Sequence, residues 1–387
     1  MKQLKPSATL AFHQKVREHV KLGKEIFSLG LGEAEVPTPP HIVEAGMKAL
    51  RDGMTRYSTP QGLPALRERI AYYLRTAHGM AGGAERVIVT PGAKNALFLA
   101  CAALLEPGDE VVLLRPCYVS NAPILHIAAP GIRLREVDMA PRSFDLDREK
   151  LSRAVTDDTR LLFVNTPHNP TGRMLSTGDV LFLADLLRRH PRLHLLSDEV
   201  YESMVVGDAA HFSPASIPDI AERVVTVGGF SKTYFMTGWR IGYVHADKAV
   251  VSAMLAVHEH INTNTAAFIQ QAAIAALDGS RECVVDYVRK LKERKAVYDR
   301  FMGGSPHLSG TAFEGGYFTF VDISASRMDC DAFAVALLAE KSVAMVPGLA
   351  FGANCRDYCR LSFVNDTGIF EEGLNRVREF MESIAYA

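Results

Sequence analysis

The sequence predicts an α/β protein with a mostly parallel central sheet covered by helices and a smaller α+β domain. Three observations support this prediction. Short apolar runs alternate with segments of helical periodicity, which is typical of βαβ units around a parallel sheet. The chain has 387 residues, which is long for one domain of about 150 residues. The last third of the chain changes to a pattern of helix, strand and helix, with a boundary near residue 285.

Five apolar runs rich in leucine or β-branched residues are predicted to be strands buried on both faces. They are Arg86–Thr90, Glu110–Leu114, Leu161–Asn165, Leu193–Ser197 and Val224–Val227. Helical patterns accompany them at Pro64–His78, Lys94–Leu105, Thr177–Arg189 and Phe268–Leu277. In the last third we expect a helix over Cys283–Met302, a strand over Tyr317–Ile323 and a helix over Ala332–Lys341.

Composition excludes several classes of partner. The 43 Lys and Arg residues balance 44 Asp and Glu residues, so the net charge is −1. Nucleic-acid binding needs clustered basic residues, which are missing here. No apolar run approaches the roughly 20 residues that span a bilayer, and the first residues lack the apolar stretch of a secretion signal. Six cysteines are too few for a disulfide framework and lack zinc-site spacing. We therefore expect a cytoplasmic protein without metal, membrane or nucleic acid.

Polar and aromatic residues follow all five predicted strands. The segments are 91–95, 115–118, 166–172, 198–201 and 228–232. In an open parallel sheet, ligands bind at the carboxyl ends of the strands. One composite site at this edge of the sheet is therefore the simplest interpretation.

Lys232 and Asp198 are the residues in these segments whose chemistry is most specific. A lysine is usually a solvated surface residue, but Lys232 follows an apolar strand and precedes Tyr234, Phe235 and Met236. A desolvated lysine has a lowered pKa and is nucleophilic, as Schiff-base chemistry requires. Asp198 could be a helix N-cap. A carboxylate that ends a buried strand needs a donor or cation, which a protonated ring nitrogen would supply.

The remaining candidates also have two interpretations each. Asn169, between two prolines, is either part of a rigid turn or an amide held in a fixed orientation. Gly92–Lys94 begins a helix whose free N–H groups favour an anion such as phosphate. Arg240 is either a surface charge or a second ligand of that phosphate. Arg360 lies in an apolar, strand-like run, where it suits a carboxylate ligand or an internal ion pair.

Together these segments resemble the class I/II aminotransferases, the fold-type I enzymes that use pyridoxal 5′-phosphate (PLP). The resemblance extends over nearly the whole chain, from Leu4–Thr9 through Tyr57–Arg67 to Arg360–Phe363. Its most specific parts are Pro167–Gly172 and Ser231–Lys232 with Met236–Gly242. The resemblance implies a three-layer sandwich over residues 45–285 and a small domain formed by residues 1–44 and 286–387. It also implies a homodimer with shared active sites.

The resemblance assigns roles that agree with the chemistry of the residues. Lys232 is expected to hold PLP as a Schiff base and to transfer protons, Asp198 to pair with the ring nitrogen, and Asn169 and Tyr201 to bind the ring oxygen. Tyr118 stacks on the ring. The phosphate is held by Ala93, Lys94, Ser231 and Arg240, and by Tyr57 of the neighbouring subunit. Arg360 and the Gly32 backbone receive the substrate carboxylate, with Asn169 also on the substrate side.

The chain departs from the family pattern near the substrate. Relatives usually have Gly-Glu-Pro-Asp-Phe where this chain has Gly-Glu-Ala-Glu-Val at residues 32–36. Gly229 stands where many relatives have a phosphate-binding serine, and Phe235 replaces a residue that is usually small. No second arginine can be placed opposite Arg360 to select a dicarboxylate. The identity of the amino donor therefore stays open.

The implied function is ping-pong transfer of an α-amino group from an amino acid to a 2-oxo acid. The nearest alternative is another PLP reaction on the same scaffold, by a β-lyase, oxidase or cyclase, because these enzymes share the lysine, the aspartate and the carboxylate clamp. A transcription regulator with an aminotransferase-like domain would need a DNA-binding module before residue 4. A nicotinamide dehydrogenase is disfavoured because Glu35 stands where the third glycine of the dinucleotide fingerprint would be.

Overall fold

The computed structural model describes residue 6, residues 8–23 and residues 25–385. Leu4, Lys5 and Ser7 of the first family-like segment lie outside the described residues, as do residues 1–3, 24, 386 and 387.

The helices carry capping signals that can be read from the sequence. Prolines occupy the first positions of the second and third helices, where a missing N–H costs nothing. Ser176 and Asp179 form a reciprocal capping box at the start of the seventh. The helices are α1 (Ala8–Lys21), α2 (Pro40–Arg51), α3 (Pro64–His78), α4 (Ala93–Leu104), α5 (Asn121–Ala128), α6 (Arg148–Ala154), α7 (Thr177–Arg189), α8 (Phe230–Thr233), α9 (Lys248–Ile261), α10 (Ala267–Asp278), α11 (Glu282–Gly303), α12 (Cys330–Lys341) and α13 (Thr367–Ala385).

The strands form one large and two small sheets. They are β1 (Phe27–Ser28), β2 (Val87–Thr90), β3 (Glu110–Arg115), β4 (Arg133–Asp138), β5 (Thr159–Asn165), β6 (His194–Asp198), β7 (Val224–Gly229), β8 (Gly242–His245), β9 (Ser309–Gly310), β10 (Phe318–Asp322), β11 (Val343–Ala344), β12 (Val346–Pro347) and β13 (Tyr358–Ser362).

The large sheet has seven strands in the order β2-β8-β7-β6-β5-β3-β4. Strand β8 is antiparallel to both of its neighbours, whereas the pairs among β7, β6, β5, β3 and β4 are parallel. Six strands therefore point the same way, and their carboxyl ends share one edge. The mostly parallel sheet is confirmed.

Alternate residues of the central strands pack into different layers. Leu161 and Phe163 of β5 pack with residues of α4, α5 and α9, whereas Leu162 and Val164 pack with residues of α3, α7 and α10. Successive strand residues point to opposite faces, so helices cover both faces of the sheet. This is the expected three-layer sandwich.

The small sheets combine both ends of the described chain. Strands β12, β13, β10 and β9 form an antiparallel sheet, and β1 pairs in parallel with β11 through Phe27 and Val343. Helix α11 runs across residue 285, where the sequence pattern places the domain boundary. The division at residues 44 and 285 stays a prediction.

Each helix and strand that the sequence pattern predicts begins and ends within two residues of its bounds in the structure. The predicted bounds of α3 and α7 match the structure residue for residue. Arg86 belongs to a short 3-10 turn and Leu193 precedes β6, so both predicted strands begin too early. Strand β4 escaped the pattern because this edge strand is mostly exposed and charged.

The described residues contain neither a membrane-spanning helix nor a cluster of metal-binding side chains. No helix there is long and apolar enough to cross a membrane. No group of three or more His, Cys, Asp or Glu side chains there could hold a metal ion.

Candidate functional site

A cavity of about 370 Å³ opens at the carboxyl ends of the parallel strands. Eleven of the twelve sequence-predicted site residues line it: Gly32, Ala93, Lys94, Tyr118, Asn169, Asp198, Tyr201, Ser231, Lys232, Arg240 and Arg360. The twelfth, Tyr57, lies between α2 and α3 with 88% of its surface exposed, away from the cavity of its own chain.

Lys232 lies in α8, directly after β7, and its Nζ donates a hydrogen bond to the Gly32 carbonyl at 2.6 Å. The rings of Tyr201 and Tyr317 lie 5.8 Å and 5.7 Å from the same nitrogen. Burial, with smaller contributions from Arg360 and Arg240, lowers the pKa of Lys232 to about 8. Lys232 is therefore a desolvated amine in the cavity and not a solvated surface lysine.

Asp198 ends β6 with 6% of its surface exposed. Among the described residues, its carboxylate accepts one hydrogen bond, from Val200 N at 3.3 Å. No helix begins after it, so the helix N-cap interpretation is wrong. Burial, reinforced by the charge of Glu199, raises the pKa of Asp198 to about 7. A positively charged N–H in the cavity would satisfy this carboxylate and hold it ionised.

Asn165 and Asn169 connect the ends of β5 and β6. Asn165 Oδ1 accepts a hydrogen bond from Asn169 N at 2.7 Å, and Asn165 Nδ2 donates to the Asp198 carbonyl at 2.8 Å. Asn169 Oδ1 in turn accepts from Arg360 Nη1 at 3.1 Å. The amide of Asn169 is thus held between the sheet and the guanidinium of Arg360.

Arg360 reaches the cavity from β13 with 4% of its surface exposed. Its Nη2 donates to the Gly30 carbonyl at 3.0 Å, so both of its hydrogen-bond acceptors among the described residues are uncharged. Its Nε is buried and has no partner among the described residues. The Phe318 ring lies 3.8 Å from the guanidinium carbon. These contacts leave the positive charge and the remaining guanidinium N–H groups for a carboxylate ligand, and they do not support an internal ion pair.

The first turn of α4 faces Arg240 across a narrow gap. Gly92, with φ of +84°, precedes the helix, and a Cβ there would lie 2.4 Å from Arg240 Nη2. The left-handed φ favours glycine at this position, and any Cβ there would displace the guanidinium from the helix start. The N–H groups of the first turn, Ser231 and Arg240 therefore form a concave, positively charged surface suited to phosphate.

A side chain at Gly229 would have room beside this concave, positively charged surface. Its Cβ would contact Gly242 Cα at 3.5 Å and Ala93 Cβ at 3.8 Å, both ordinary distances. Packing therefore does not require this departure from the phosphate-binding serine of many relatives.

Seven other residues line the cavity without an assigned role in the sequence analysis. They are Thr9, Leu97, Asn165, Val200, Gly229, Thr237 and Phe318. Asn165 and Phe318 make defined contacts, to Asp198 and Arg360 respectively. Their signal in the sequence was weak: each lies in a predicted strand, where the direction of the side chain depends on register.

The cavity can hold an anion at each end. Its lining carries four cations, Lys94, Lys232, Arg240 and Arg360, against one carboxylate, Asp198. A ligand with a phosphate, a protonated ring nitrogen and a carbonyl carbon near Lys232 complements this set. PLP has these groups, so the residues present fit it.

Comparisons with known proteins agree with this geometry. The family model described as aminotransferase class I and II matches residues 24–376. An aspartate aminotransferase of Geobacillus stearothermophilus is 35% identical over 99% of this chain and 98% of its own. The structure of Thermus thermophilus aspartate aminotransferase with maleate superposes with a TM-score of 0.92, at 34% identity over 98% of this chain and all of its own. For an aromatic aminotransferase from Pyrococcus horikoshii OT3 the TM-score is 0.89, at 34% identity over 95% of this chain and 99% of its own.

The lowered pKa of Lys232 predicts unusual reactivity in the cofactor-free protein. Only the neutral amine is nucleophilic, and it forms above a pKa of about 8. Acetic anhydride should therefore label Lys232 half-maximally near pH 8, measured by peptide mass spectrometry across a pH series. N-acetyl-lysine amide in the same tube is the standard, with an ordinary pKa of about 10.4. Labelling of Lys232 that follows the standard would contradict a desolvated amine.

Proposed function

Because the chain belongs to the aminotransferase class I and II family, we propose that Lys232 carries its cofactor and that its amino donor is a dicarboxylic amino acid. Family membership confirms the predicted enzyme, a PLP-dependent aminotransferase that moves an α-amino group from an amino acid to a 2-oxo acid. It also favours transamination over the alternative lyase, oxidase or cyclase reactions.

The cofactor would be held along the whole length of the cavity. Asp198 would pair with the ring nitrogen, Asn169 and Tyr201 would bind the ring oxygen, and Tyr118 would lie against the ring. The backbone of Ala93 and Lys94, with Ser231 and Arg240, would bind the phosphate. When bound, PLP withdraws electrons from the substrate α-carbon and so makes its proton acidic.

The observation that carries this proposal is the position of Lys232 between a buried carboxylate and a buried arginine. The amine of Lys232, whose pKa burial lowers to about 8, would carry the α-proton at Nζ. Burial lowers the pKa of Arg360 to about 10, which leaves it charged at neutral pH. Arg360 would hold the α-carboxylate with its remaining guanidinium N–H groups and so orient the α-carbon toward Lys232.

Removing the lysine tests the assignment. Lys232→Ala should lower kcat by at least about 10³-fold, because both the attachment point and the proton carrier are lost. The assay is formation of a new amino acid from an added 2-oxo acid, which also separates transamination from elimination or oxidation. Lys292→Ala, an exposed position on α11, is the matched control. Normal turnover in Lys232→Ala would refute the proposal.

The proposed substrate class follows from the roles of the four cationic side chains that line the cavity. Lys232, Arg240 and Arg360 have roles toward the cofactor and the α-carboxylate, which leaves the side chain of Lys94. Its Nζ lies 5.6 Å from the Tyr118 ring centroid, and both residues line the cavity. In this proposal its backbone N–H serves the phosphate, and its ammonium is available to the substrate. A second carboxylate on the donor, as in aspartate, would satisfy this charge.

Lys94→Ala should therefore change specificity. A hydrogen bond to a charged group contributes about 1.5–3 kcal/mol, so KM for L-aspartate should rise at least about tenfold. KM for L-alanine, which has no distal carboxylate, should stay within about twofold. Steady-state kinetics with both donors provide the measurement. Equal changes for the two donors would assign Lys94 to the cofactor alone.

A homodimer with shared sites completes the proposal. Tyr57 is exposed and does not line the cavity of its own chain. Such a tyrosine is available to the phosphate site of a second subunit, which is the role that the family resemblance implies. A cytoplasmic location stays a prediction from composition.

A further inference from the structure

The Leu29–Val36 segment touches both main cationic residues of the site through its backbone. The Gly30 carbonyl accepts a hydrogen bond from Arg360 Nη2 at 3.0 Å, and the Gly32 carbonyl accepts one from Lys232 Nζ at 2.6 Å. The segment itself contains no helix and no strand. Its conformation therefore depends on individual hydrogen bonds and not on a regular backbone ladder.

Glu35 is the most strongly bound of these anchors. Its Oε1 accepts from Arg294 Nη2 at 2.5 Å, and its Oε2 accepts from the Tyr287 hydroxyl at 3.1 Å. Lys290 Nζ lies 3.8 Å from the same carboxylate. The segment has further anchors at the Leu29 carbonyl, which accepts from Ser362 N at 2.7 Å, and at Glu33, which binds Thr237.

Arg294 connects this anchor to the strand that carries Arg360. Only 1% of Arg294 is exposed, and its Nη1 donates to the Phe363 carbonyl at 2.8 Å. Phe363 directly follows β13, three residues beyond Arg360. A buried arginine needs its carboxylate partner, because removal of one partner leaves an uncompensated charge. Glu35 thus links the segment and β13 through one guanidinium.

Tyr287 connects the same anchor to Lys232. Its ring packs edge-on against Phe235 at 4.9 Å and Tyr317 at 5.7 Å between centroids. The Tyr317 hydroxyl donates to the backbone carbonyl of Lys232 at 2.8 Å. Glu35 is therefore connected to the strand of Arg360 through Arg294, and to the backbone of Lys232 through Tyr287 and Tyr317.

We propose that Glu35 is a positioning residue: through Arg294 and Tyr287 it holds the Leu29–Val36 segment where the Gly30 carbonyl aligns Arg360 for the substrate carboxylate. The proposal rests on the role of Arg360 given above. Glu35 touches neither substrate nor cofactor in it. Because every amino donor presents an α-carboxylate, the effect of Glu35 is the same for all donors.

Glu35→Gln in the holoenzyme tests the proposal. The dissociation constant of maleate, measured by calorimetry, should rise at least tenfold. KM for L-aspartate and for L-alanine should rise by one common factor, while kcat falls less than threefold. Glu293→Gln is the matched control and should change none of these values. Glu293 forms an exposed ion pair with Arg289 on α11, the helix that carries Arg294 and Tyr287. A purely structural role would lower kcat through loss of active protein and leave maleate binding unchanged, which would overturn the proposal. A KM change for one donor alone would overturn it as well.

Two more variants keep the outcome decisive. Tyr287→Phe removes only the hydroxyl and keeps the ring packing, so it should weaken maleate binding in the same direction by a smaller factor, even if Glu35→Gln does not fold. The role of Glu35 is overturned if maleate binding is unchanged in Tyr287→Phe and, provided that Glu35→Gln folds, in that variant as well. Arg360→Gln, measured in parallel, separates the proposed role of Arg360 from that of Glu35. Unchanged maleate binding in Arg360→Gln rejects the carboxylate role of Arg360. Weakened binding in Arg360→Gln, with unchanged binding in the Glu35 and Tyr287 variants, rejects only the positioning role of Glu35.

Discussion

Asp198 places a carboxylate in the interior, at the end of a central strand, where burial raises its pKa to about 7. Its backbone is fixed on both sides. Its carbonyl accepts hydrogen bonds from Asn165 Nδ2 and from Thr166 N, and the residue pairs with Asn165 of β5 and Val227 of β7 in the sheet. The carboxylate can neither move to water nor find a cation in the described chain at hydrogen-bond distance. A ligand with a positively charged N–H removes this penalty. In the proposed function, the energetic need of this one buried acid would determine which way the cofactor ring faces.

The two ends of the cavity are supported in different ways. The cofactor side rests on strands of the large sheet, on the first turn of α4 and on α8, all of which are held by regular backbone hydrogen bonds. The substrate side is assembled from a segment without regular structure and from β13, through the side chains of Glu35, Arg294 and Asn169. The rigid side is shared by all reactions of a PLP enzyme. The side held by individual side chains includes residues 32–36, where this chain departs from its relatives.

The sequence predicted the cofactor side better than the substrate side, for a physical reason. Lys232 and Asp198 follow apolar strands directly, so their positions depend only on local pattern and on the rule for parallel sheets. Phe318 and Asn165 depend on register, which no local pattern determines. Glu35 drew attention because it departs from the family pattern, but its partner Arg294 lies 259 residues away in the chain. Side-chain pairing over that distance becomes visible only when both residues are placed in three dimensions.

The protonation state of the cofactor ring is the most direct test of the role of Asp198. Nitrogen-15 NMR of holoenzyme loaded with ring-labelled PLP reports whether the ring nitrogen carries a proton. The account predicts a protonated ring nitrogen at pH 7.5 in the wild-type enzyme and an unprotonated one in Asp198→Asn, since only the ionised carboxylate stabilises the cation. The same chemical shift in both proteins would contradict the account.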